Sequence, residues 1–191
     1  MPATKVRPDV IAAATKLFSQ RGFHGTSMQH IADALGIRKA SLYHHVRSKE
    51  DLLYAIHEEL LDQLIEETVA VVSSAQSPEE KLKAIIYLYT RIVAEDVEAV
   101  TVLLKERDSV SGERWTGLVA KRDLFEQMVR GVVGAGVESG AFVDRDPGLL
   151  TKTILALPGW TATWYRSGGP VGADELAELY ADVAINGIVS R

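Results

Sequence analysis

The sequence contains no cysteine, which excludes disulfide bonds, thiolate catalysis and cysteine-based zinc sites. It also lacks any apolar run approaching the ~20 residues that a membrane-spanning helix needs, and its N-terminus lacks the apolar region of a signal peptide. Hydrophobic residues nevertheless make up 47% of the 191 positions, enough for a sizeable core. We therefore expect a soluble protein of the cytoplasm that does not enter a membrane.

Motifs of catalysis and of phosphate binding are missing as well. There is no nucleophile elbow, no phosphate-binding glycine loop and no HExxH sequence. The adjacent histidines His44 and His45 would point about 100° apart on a helix, which disfavours a shared metal ion. The sequence therefore predicts neither an enzyme nor a protein that carries a metal or another cofactor.

Positive charge is concentrated at the N-terminal end. Residues 1–50 carry eight Lys and Arg against three Asp and Glu, a net charge of +5, whereas residues 51–191 carry −10. A basic head on an acidic body attracts nucleic acid to one end of the chain and repels it from the other. The charge pattern thus predicts a DNA-binding head.

Residues 25–45 have the pattern of two short helices joined by a tight turn. Thr26 can cap the first helix, and Gly36 permits the left-handed turn that ends it. The outer face of the second helix carries donors that suit phosphates and base edges in a major groove. Lys49, in the first turn of the next helix, can grip a phosphate together with free backbone amides, although a solvated lysine is the alternative. The residues predicted to contact DNA are Thr26, Ser27, Arg38, Lys39, Ser41, Tyr43, His44 and Lys49.

An ordered set of short motifs covers the chain from about Val10 to Leu53. They are Gly22-Phe23, Thr26, Ile31-Ala32, Gly36, Leu42-Tyr43-His44-His45 and Ser48-Lys49-Glu50-Asp51-Leu52-Leu53. This set resembles the DNA-binding signature of the TetR family of bacterial transcriptional repressors. Two positions depart from the family pattern, since Val46 replaces the usual Phe and Arg38 replaces a small capping residue. The resemblance implies a homodimer joined by its last two helices, with recognition helices about 34 Å apart on a palindromic double-stranded operator.

The remainder of the sequence predicts further helices and no strand. Ser77-Pro78-Glu79-Glu80 forms a capping box with proline at the first helical position. Asp146-Pro147-Gly148 predicts another helix start, and Pro158-Gly159 is expected to break or kink the helix that follows. We predict an all-α protein with a three-helix, helix-turn-helix DNA-binding head at residues 1–51. A six-helix ligand-binding and dimerisation body is predicted at residues 52–191.

The final predicted helix, from about Ala173 to Val189, is too apolar for a free surface at a chain end. Burying its stripe against a second copy would drive dimerisation. The alternative is a stripe that packs only within its own subunit. We expect the homodimer.

Two features of the body indicate a ligand chamber. The expected break at Pro158-Gly159 would open space, and Trp160 and Trp164, four residues apart, would share a helix face beside Arg166. Aromatic residues at this spacing suit a plain core equally well. Composition alone leaves both interpretations open.

The segment Trp160-Thr161-Ala162-Thr163-Trp164-Tyr165-Arg166-Ser167-Gly168-Gly169-Pro170, followed by Glu175-Leu176-Ala177 and Tyr180-Ala181, adds a second resemblance. It is similar to the C-terminal segment of TetR-family repressors that sense acyl-CoA thioesters, among them repressors of fatty-acid breakdown and of steroid catabolism. The resemblance implies an apolar cavity for the acyl chain and assigns Trp160, Trp164 and Arg166 to ligand binding. Candidates for the CoA phosphates, by charge alone, are Lys105, Arg107, Lys121 and Arg122, and candidates for the cavity wall are Phe125 and Met128.

Two other functions remain open at this point. One is a TetR-type regulator of a drug-like or other lipophilic compound, because the chemistry of the cavity does not follow from the sequence. The other is a DNA-binding protein that responds to no ligand, although such a protein would not need broken helices or clustered tryptophans in its body.

Overall fold

The computed structural model describes residues 6–44, 46–106 and 109–190. Within these ranges the only β-type pairing is one antiparallel bridge between Phe142 and Val189, so the all-α prediction is confirmed. No helix in the same ranges is long and apolar enough to cross a membrane.

The helices are α1 (Pro8–Arg21), α2 (Met28–Ala34), α3 (Lys39–Tyr43), α4 (Lys49–Val72), α5 (Pro78–Glu95), α6 (Val97–Lys105), α7 (Gly112–Glu138), α8 (Pro147–Trp160) and α9 (Ala173–Ile188), with a 3-10 helix at Thr161–Thr163.

Backbone contacts divide the chain into two compact units. Unit 1 contains the described residues of Met1–Leu60 and Glu98–Leu118, and unit 2 contains those of Leu61–Val97 and Val119–Arg191. Helices α4 and α7 each begin in unit 1 and end in unit 2. The boundary predicted between residues 51 and 52 is not tested by this division and stays a prediction.

Helices α1 to α3 of unit 1 begin and end where local sequence chemistry places them. Pro8 is the first residue of α1, and Gly22, with φ of 73°, follows its last residue. Gly36, with φ of 66°, turns the chain out of α2, as predicted. The side chains buried among these helices are Val10, Ala14, Phe18, Phe23, Ile31, Ala32 and Leu42.

The cap of α2 is Ser27 and not Thr26, so that prediction was wrong. Ser27 Oγ accepts a hydrogen bond from the His30 amide at 3.2 Å, and His30 Nδ1 accepts one from the Ser27 amide at 3.2 Å. Thr26 is only 2% exposed, and its hydroxyl lies 2.8 Å from the Gly22 carbonyl oxygen and 3.2 Å from that of Leu17. Either hydroxyl suits a cap chemically, and the burial of Thr26 decides between them.

Helix α5 organises unit 2. It begins with the predicted capping box, in which Ser77 and Glu80 bond reciprocally around Pro78. Its main partner is α9, and two polar contacts join these helices. The Tyr87 hydroxyl donates to Asp174 at 2.7 Å, and Lys83 pairs with Asp182 at 2.7 Å.

The break predicted at Pro158-Gly159 does not occur in helix α8. This helix continues to Trp160 and passes directly into the 3-10 helix. Pro158 is buried in the last turn of α8, where its missing amide removes a single helical hydrogen bond. The Thr161 hydroxyl donates to the Leu157 carbonyl at 3.4 Å and binds one of the free carbonyls at this end.

Candidate nucleic-acid interface and ligand-binding body

The outer face of α3 is polar, basic and exposed. Leu42 is fully buried and fixes which face of this short helix turns inward. Tyr43 is 45% exposed, and Lys39 Nζ lies 5.8 Å from the centre of its ring. Arg38 occupies the N-cap position without making a side-chain cap bond. The exposed residues at and beside α3 are Arg38, Lys39, Ser41, Tyr43 and His44.

Two other residues predicted to contact DNA are engaged inside the head. Thr26 is buried, and its hydroxyl is directed to backbone carbonyl oxygens of unit 1. Ser27 is half-buried and keeps its Oγ in the capping box of α2. The placement of Thr26 therefore supports a role in the fold of the head, and we leave it out of the interface proposed below.

Lys49 is half-buried in the first turn of α4. Its Nζ donates to the Phe23 carbonyl at 2.8 Å and lies 4.5 Å from the centre of the Phe23 ring. The predicted cap of α4 is present, because Ser48 Oγ accepts from the Asp51 amide at 3.1 Å. An ammonium group has three donors, so this contact leaves Lys49 able to bind a phosphate.

Asp51 joins the start of α4 to the first turn of α7 within unit 1. Its Oδ1 lies 2.5 Å from Arg114 Nη1, and its Oδ2 accepts from the Arg47 amide at 2.8 Å. The Arg114 guanidinium also lies 5.5 Å from the centre of the Tyr54 ring. Burial opposes ionisation of Asp51, but the hydrogen bonds from Arg114 and Arg47 outweigh it and lower the pKa of this carboxyl. Asp51 is thus a carboxylate that restrains the start of α4, shortly after α3.

The aromatic residues predicted to line a ligand chamber are divided between the surface and the interior of unit 2. Trp160 is 67% exposed, Trp164 is 45% exposed, and Arg166 is exposed as well. Phe125 is buried, and Met128 is half-buried. Because α8 does not break before Trp160, the space expected there does not open, and exposed tryptophans do not form a closed wall. Ligand binding by these residues stays a prediction.

The cationic candidates for CoA phosphates differ in their surroundings. Lys105 and Arg122 are exposed on α6 and α7. Lys121 donates to Asp62 at 2.5 Å, so part of its charge is neutralised within unit 2. Arg107 lies outside the described residues. Their contact with phosphates stays a prediction.

An open cleft of about 300 Å³ lies beside Met128 in unit 2. Val72 at the end of α4 and Val132 and Ala135 on α7 give it apolar walls, and Lys81 and Gln127 add polar groups. Lys81 Nζ donates to the Val72 carbonyl at 2.8 Å. The volume is at the lower end of that of ligand-binding pockets.

Comparison with protein families gives two matches that together cover most of the chain. The profile described as "Bacterial regulatory proteins, tetR family" matches residues 10–56, and "Tetracyclin repressor-like, C-terminal domain" matches residues 75–188. This chain belongs to the TetR family. The prediction from the head motifs is thereby confirmed.

Individual relatives of this TetR-family chain match it over nearly its full length. The HTH-type transcriptional repressor KstR2 of Rhodococcus jostii (strain RHA1) is 32% identical over 186 residues, covering 96% of this chain and 91% of that protein. The structure of the ketosteroid transcriptional regulator KstR2 of Mycobacterium tuberculosis has a TM-score of 0.88 at 26% identity and covers 99% of this chain and 100% of that chain. The crystal structure of AibR in complex with isovaleryl coenzyme A and operator DNA has a TM-score of 0.79 at 26% identity, with coverages of 91% and 95%.

Membership in the TetR family makes the chain a DNA-binding transcriptional regulator and not an enzyme, as predicted. The N-terminal match contains most of α1, all of α2 and α3, and the start of α4, and so includes the exposed face described above. The predicted resemblance to acyl-CoA-responsive members agrees with the steroid regulator and the coenzyme A complex among the relatives.

Tyr89 of α5 was not among the residues predicted to bind a ligand, but it contacts Phe125, which was. Its ring meets the Phe125 ring edge-on, with centroids 5.3 Å apart and planes at 68°. The only signal in the sequence was a tyrosine on an otherwise apolar face of α5. A tyrosine in such a position is weak evidence for a ligand contact, because Tyr87 on the same helix uses its hydroxyl for a hydrogen bond to Asp174 within the protein.

Proposed function

We propose that this TetR-family regulator is a homodimeric repressor that binds a palindromic operator and leaves it when it binds a small hydrophobic effector, an acyl-CoA thioester. The observation that carries the proposal is the exposed polar face of α3, which is held outward by buried Leu42 in a helix-turn-helix. The effector and the dimer are argued separately below.

DNA recognition is assigned to residues at and around α3. Arg38, Lys39 and Tyr43 have the reach and the donors for base edges in a major groove. Ser27 and Lys49 stand at helix N-termini, where backbone amides favour a phosphate. The net charge of +5 over residues 1–50 favours approach by this end. A regulator of this kind works in the cytoplasm, where the bacterial chromosome lies.

Dimerisation is supported by apolar side chains left in water on the last two helices. Leu149 and Trp160 of α8 are 64% and 67% exposed, and Leu179 and Val183 of α9 are 54% and 53% exposed. Leu179 and Val183 are four residues apart and therefore adjacent on one helix face. Such a surface is expected to pack against its own copy across a two-fold axis, as the family resemblance implies. On this proposal Trp160 belongs to the dimer surface.

An acyl-CoA effector is supported by the relatives and is compatible with the body. The AibR complex holds isovaleryl coenzyme A and operator DNA together, so it supports binding of an acyl-CoA but not release from the operator, and KstR2 is described as a ketosteroid transcriptional regulator. The body of this chain offers two separate candidate surroundings, the open cleft beside Met128 and the Tyr89–Phe125 pair, which does not line that cleft. An effector that favours the released state by about 2.7 kcal/mol lowers operator affinity about a hundredfold.

The DNA-binding part of the proposal is tested by selecting operator sequences with the purified protein from random duplexes. We expect a palindrome whose half-sites lie about one helical turn apart. In fluorescence anisotropy, Arg38→Ala and Tyr43→Ala should weaken binding to the selected duplex about tenfold or more. Arg145→Ala, which removes an exposed arginine of unit 2, is the matched control and should change it little. Selection of no common sequence, or full affinity in both α3 variants, would contradict the proposal.

A further inference from the structure

Tyr89 has a hydroxyl that lies inside unit 2 between three helices. Its ring packs edge-on against Phe125 of α7. Its hydroxyl oxygen lies 3.5 Å from the point where a side chain on Gly159 of α8 would place its Cβ. The hydroxyl of this α5 residue therefore faces a space that a glycine leaves open.

None of the described residues gives the Tyr89 hydroxyl a hydrogen-bond partner. Tyr87, two residues earlier on α5, shows the usual arrangement, because its hydroxyl donates to Asp174 at 2.7 Å. Buried hydroxyls in native proteins are nearly always paired with protein, water or ligand. Because the Tyr89 side chain is only half-buried, a water molecule or a ligand oxygen can serve as the acceptor of its hydroxyl.

The electrostatic surroundings keep this hydroxyl a donor. Burial raises the pKa of the Tyr89 phenol, while the positive charge of Arg122 acts in the opposite direction. The side chain nevertheless keeps some accessible surface. A water molecule or a ligand atom can therefore reach this side chain. The influence of Arg122 means that an acceptor with negative charge is also tolerated there.

We propose that the Tyr89 hydroxyl donates a hydrogen bond to an acceptor oxygen on the acyl group of the effector, either the thioester carbonyl or a carboxylate. Phe125 then packs against the apolar part of the same group, and Gly159 leaves the volume that the oxygen occupies. This inference rests on the proposed acyl-CoA response and names the residue that reads the acyl group.

The test is isothermal titration of the purified protein with a panel of CoA thioesters. The panel contains acetyl-CoA, isovaleryl-CoA, decanoyl-CoA, glutaryl-CoA and a steroid-derived acyl-CoA, beside the free acids and free CoA. Tyr89→Phe removes only the hydroxyl, and we expect it to weaken binding about three- to tenfold. Tyr87→Phe is the matched control, because it removes a hydroxyl that already has a partner, and it should leave ligand affinity unchanged.

Gly159→Ala separates a ligand contact from a structural effect. Alanine in the last turn of α8 should leave Tm unchanged or raise it by about 1–4 °C, because it restricts the unfolded chain and favours the helix. Its methyl group fills the space beside the Tyr89 hydroxyl, so it should weaken ligand binding all the same. A role in stability alone would not give these opposite effects.

The outcomes distinguish this inference from the proposed function. Weaker binding of isovaleryl-CoA by Tyr89→Phe supports contact with the thioester carbonyl, whereas a loss confined to glutaryl-CoA supports contact with a carboxylate. If Tyr89→Phe and Gly159→Ala both bind the thioesters as tightly as the wild-type protein does, this inference is overturned while the proposed function stands. Failure of the wild-type protein to bind any thioester would contradict both this inference and the acyl-CoA part of the proposed function.

Discussion

The ion pair between Asp51 and Arg114 should make a measurable contribution to the stability of unit 1. The Asp51 side chain is only 16% exposed, whereas that of Arg114 is 47% exposed. Arg114→Ala removes the partner at 2.5 Å and leaves the carboxylate with the Arg47 amide as its remaining donor outside α4. The stability of this variant therefore measures how strongly the start of α4 depends on its contact with α7.

The expected loss follows from the burial of Asp51. A half-exposed ion pair contributes up to about 1 kcal/mol, and leaving a partly buried carboxylate without its main donor adds a similar cost. We expect the free energy of unfolding to fall by about 1–2 kcal/mol at pH 7, which corresponds to a Tm lower by about 2–8 °C in a chain of this length.

The loss should depend on pH in a defined direction. Since the folded state lowers the pKa of Asp51 below its ordinary value of 3.8, its contribution is complete above that value and disappears as the pH falls through the lowered pKa. The difference in Tm between wild-type and Arg114→Ala should therefore be constant near neutral pH and shrink below about pH 4. Thermal unfolding followed by circular dichroism measures both quantities.

Lys83→Ala is the matched control for this prediction. It breaks an ion pair with Asp182 of similar length, 2.7 Å, but both of its side chains are more than half exposed, so solvent screens the pair and Tm should hardly change. An Arg114→Ala variant no less stable than Lys83→Ala, or a difference that grows in acid, would refute the reasoning.

Three further perturbations give defined results. Thr26→Val leaves the carbonyls of Leu17 and Gly22 without the hydroxyl that they share, and urea unfolding should show a loss of about 1–3 kcal/mol. An unchanged midpoint would show that this bond does not stabilise the head. Lys49→Ala should weaken binding to all DNA sequences alike and reduce the slope of log affinity against log salt by about 1. Loss of sequence preference instead would mean that Lys49 reads bases. Leu179→Glu should convert the dimer to monomer in analytical ultracentrifugation, because it places a charge in the proposed interface, and a persistent dimer would exclude that surface.

Local chemistry was enough to predict several helix ends in this chain. Gly36 and Gly22 adopt positive φ, and Ser77 forms its capping box with Glu80, because each of these features depends on residues within one helical turn. The helix-turn-helix was predicted for the same reason. Its turn glycine and the apolar period around it lie within 20 residues of sequence.

The wrong predictions concern positions whose structure is decided by packing against residues distant in the sequence. Thr26 and Ser27 are adjacent hydroxyls of equal capping chemistry, and only the burial of Thr26 against α1 separates their roles. Proline usually ends or kinks a helix by local rules, but buried Pro158 lies in the last turn of α8, where it costs one hydrogen bond and the helix continues to Trp160. Neither outcome follows from residues close in sequence.

Packing between residues distant in the sequence also decides the surroundings of the candidate ligand site in the body. Trp160 and Trp164 have the composition of a pocket wall, yet their exposure is fixed by how α8 packs on the rest of unit 2. Tyr87 and Tyr89 are two residues apart and point to nearly opposite sides of α5. Only the structure shows that the hydroxyl of Tyr87 meets Asp174 while that of Tyr89 faces Gly159.

The most direct test of ligand-responsive repression is release of the protein from its selected operator. Fluorescence anisotropy of the labelled duplex would be followed while the complex is titrated with each acyl-CoA, its free acid and free CoA. We predict that one class of thioester releases the DNA and lowers affinity about a hundredfold, while the matching acid and free CoA do not. DNA that stays bound at saturating concentrations of every thioester would contradict the acyl-CoA account, and release by a free acid alone would assign the regulator to another class of effector.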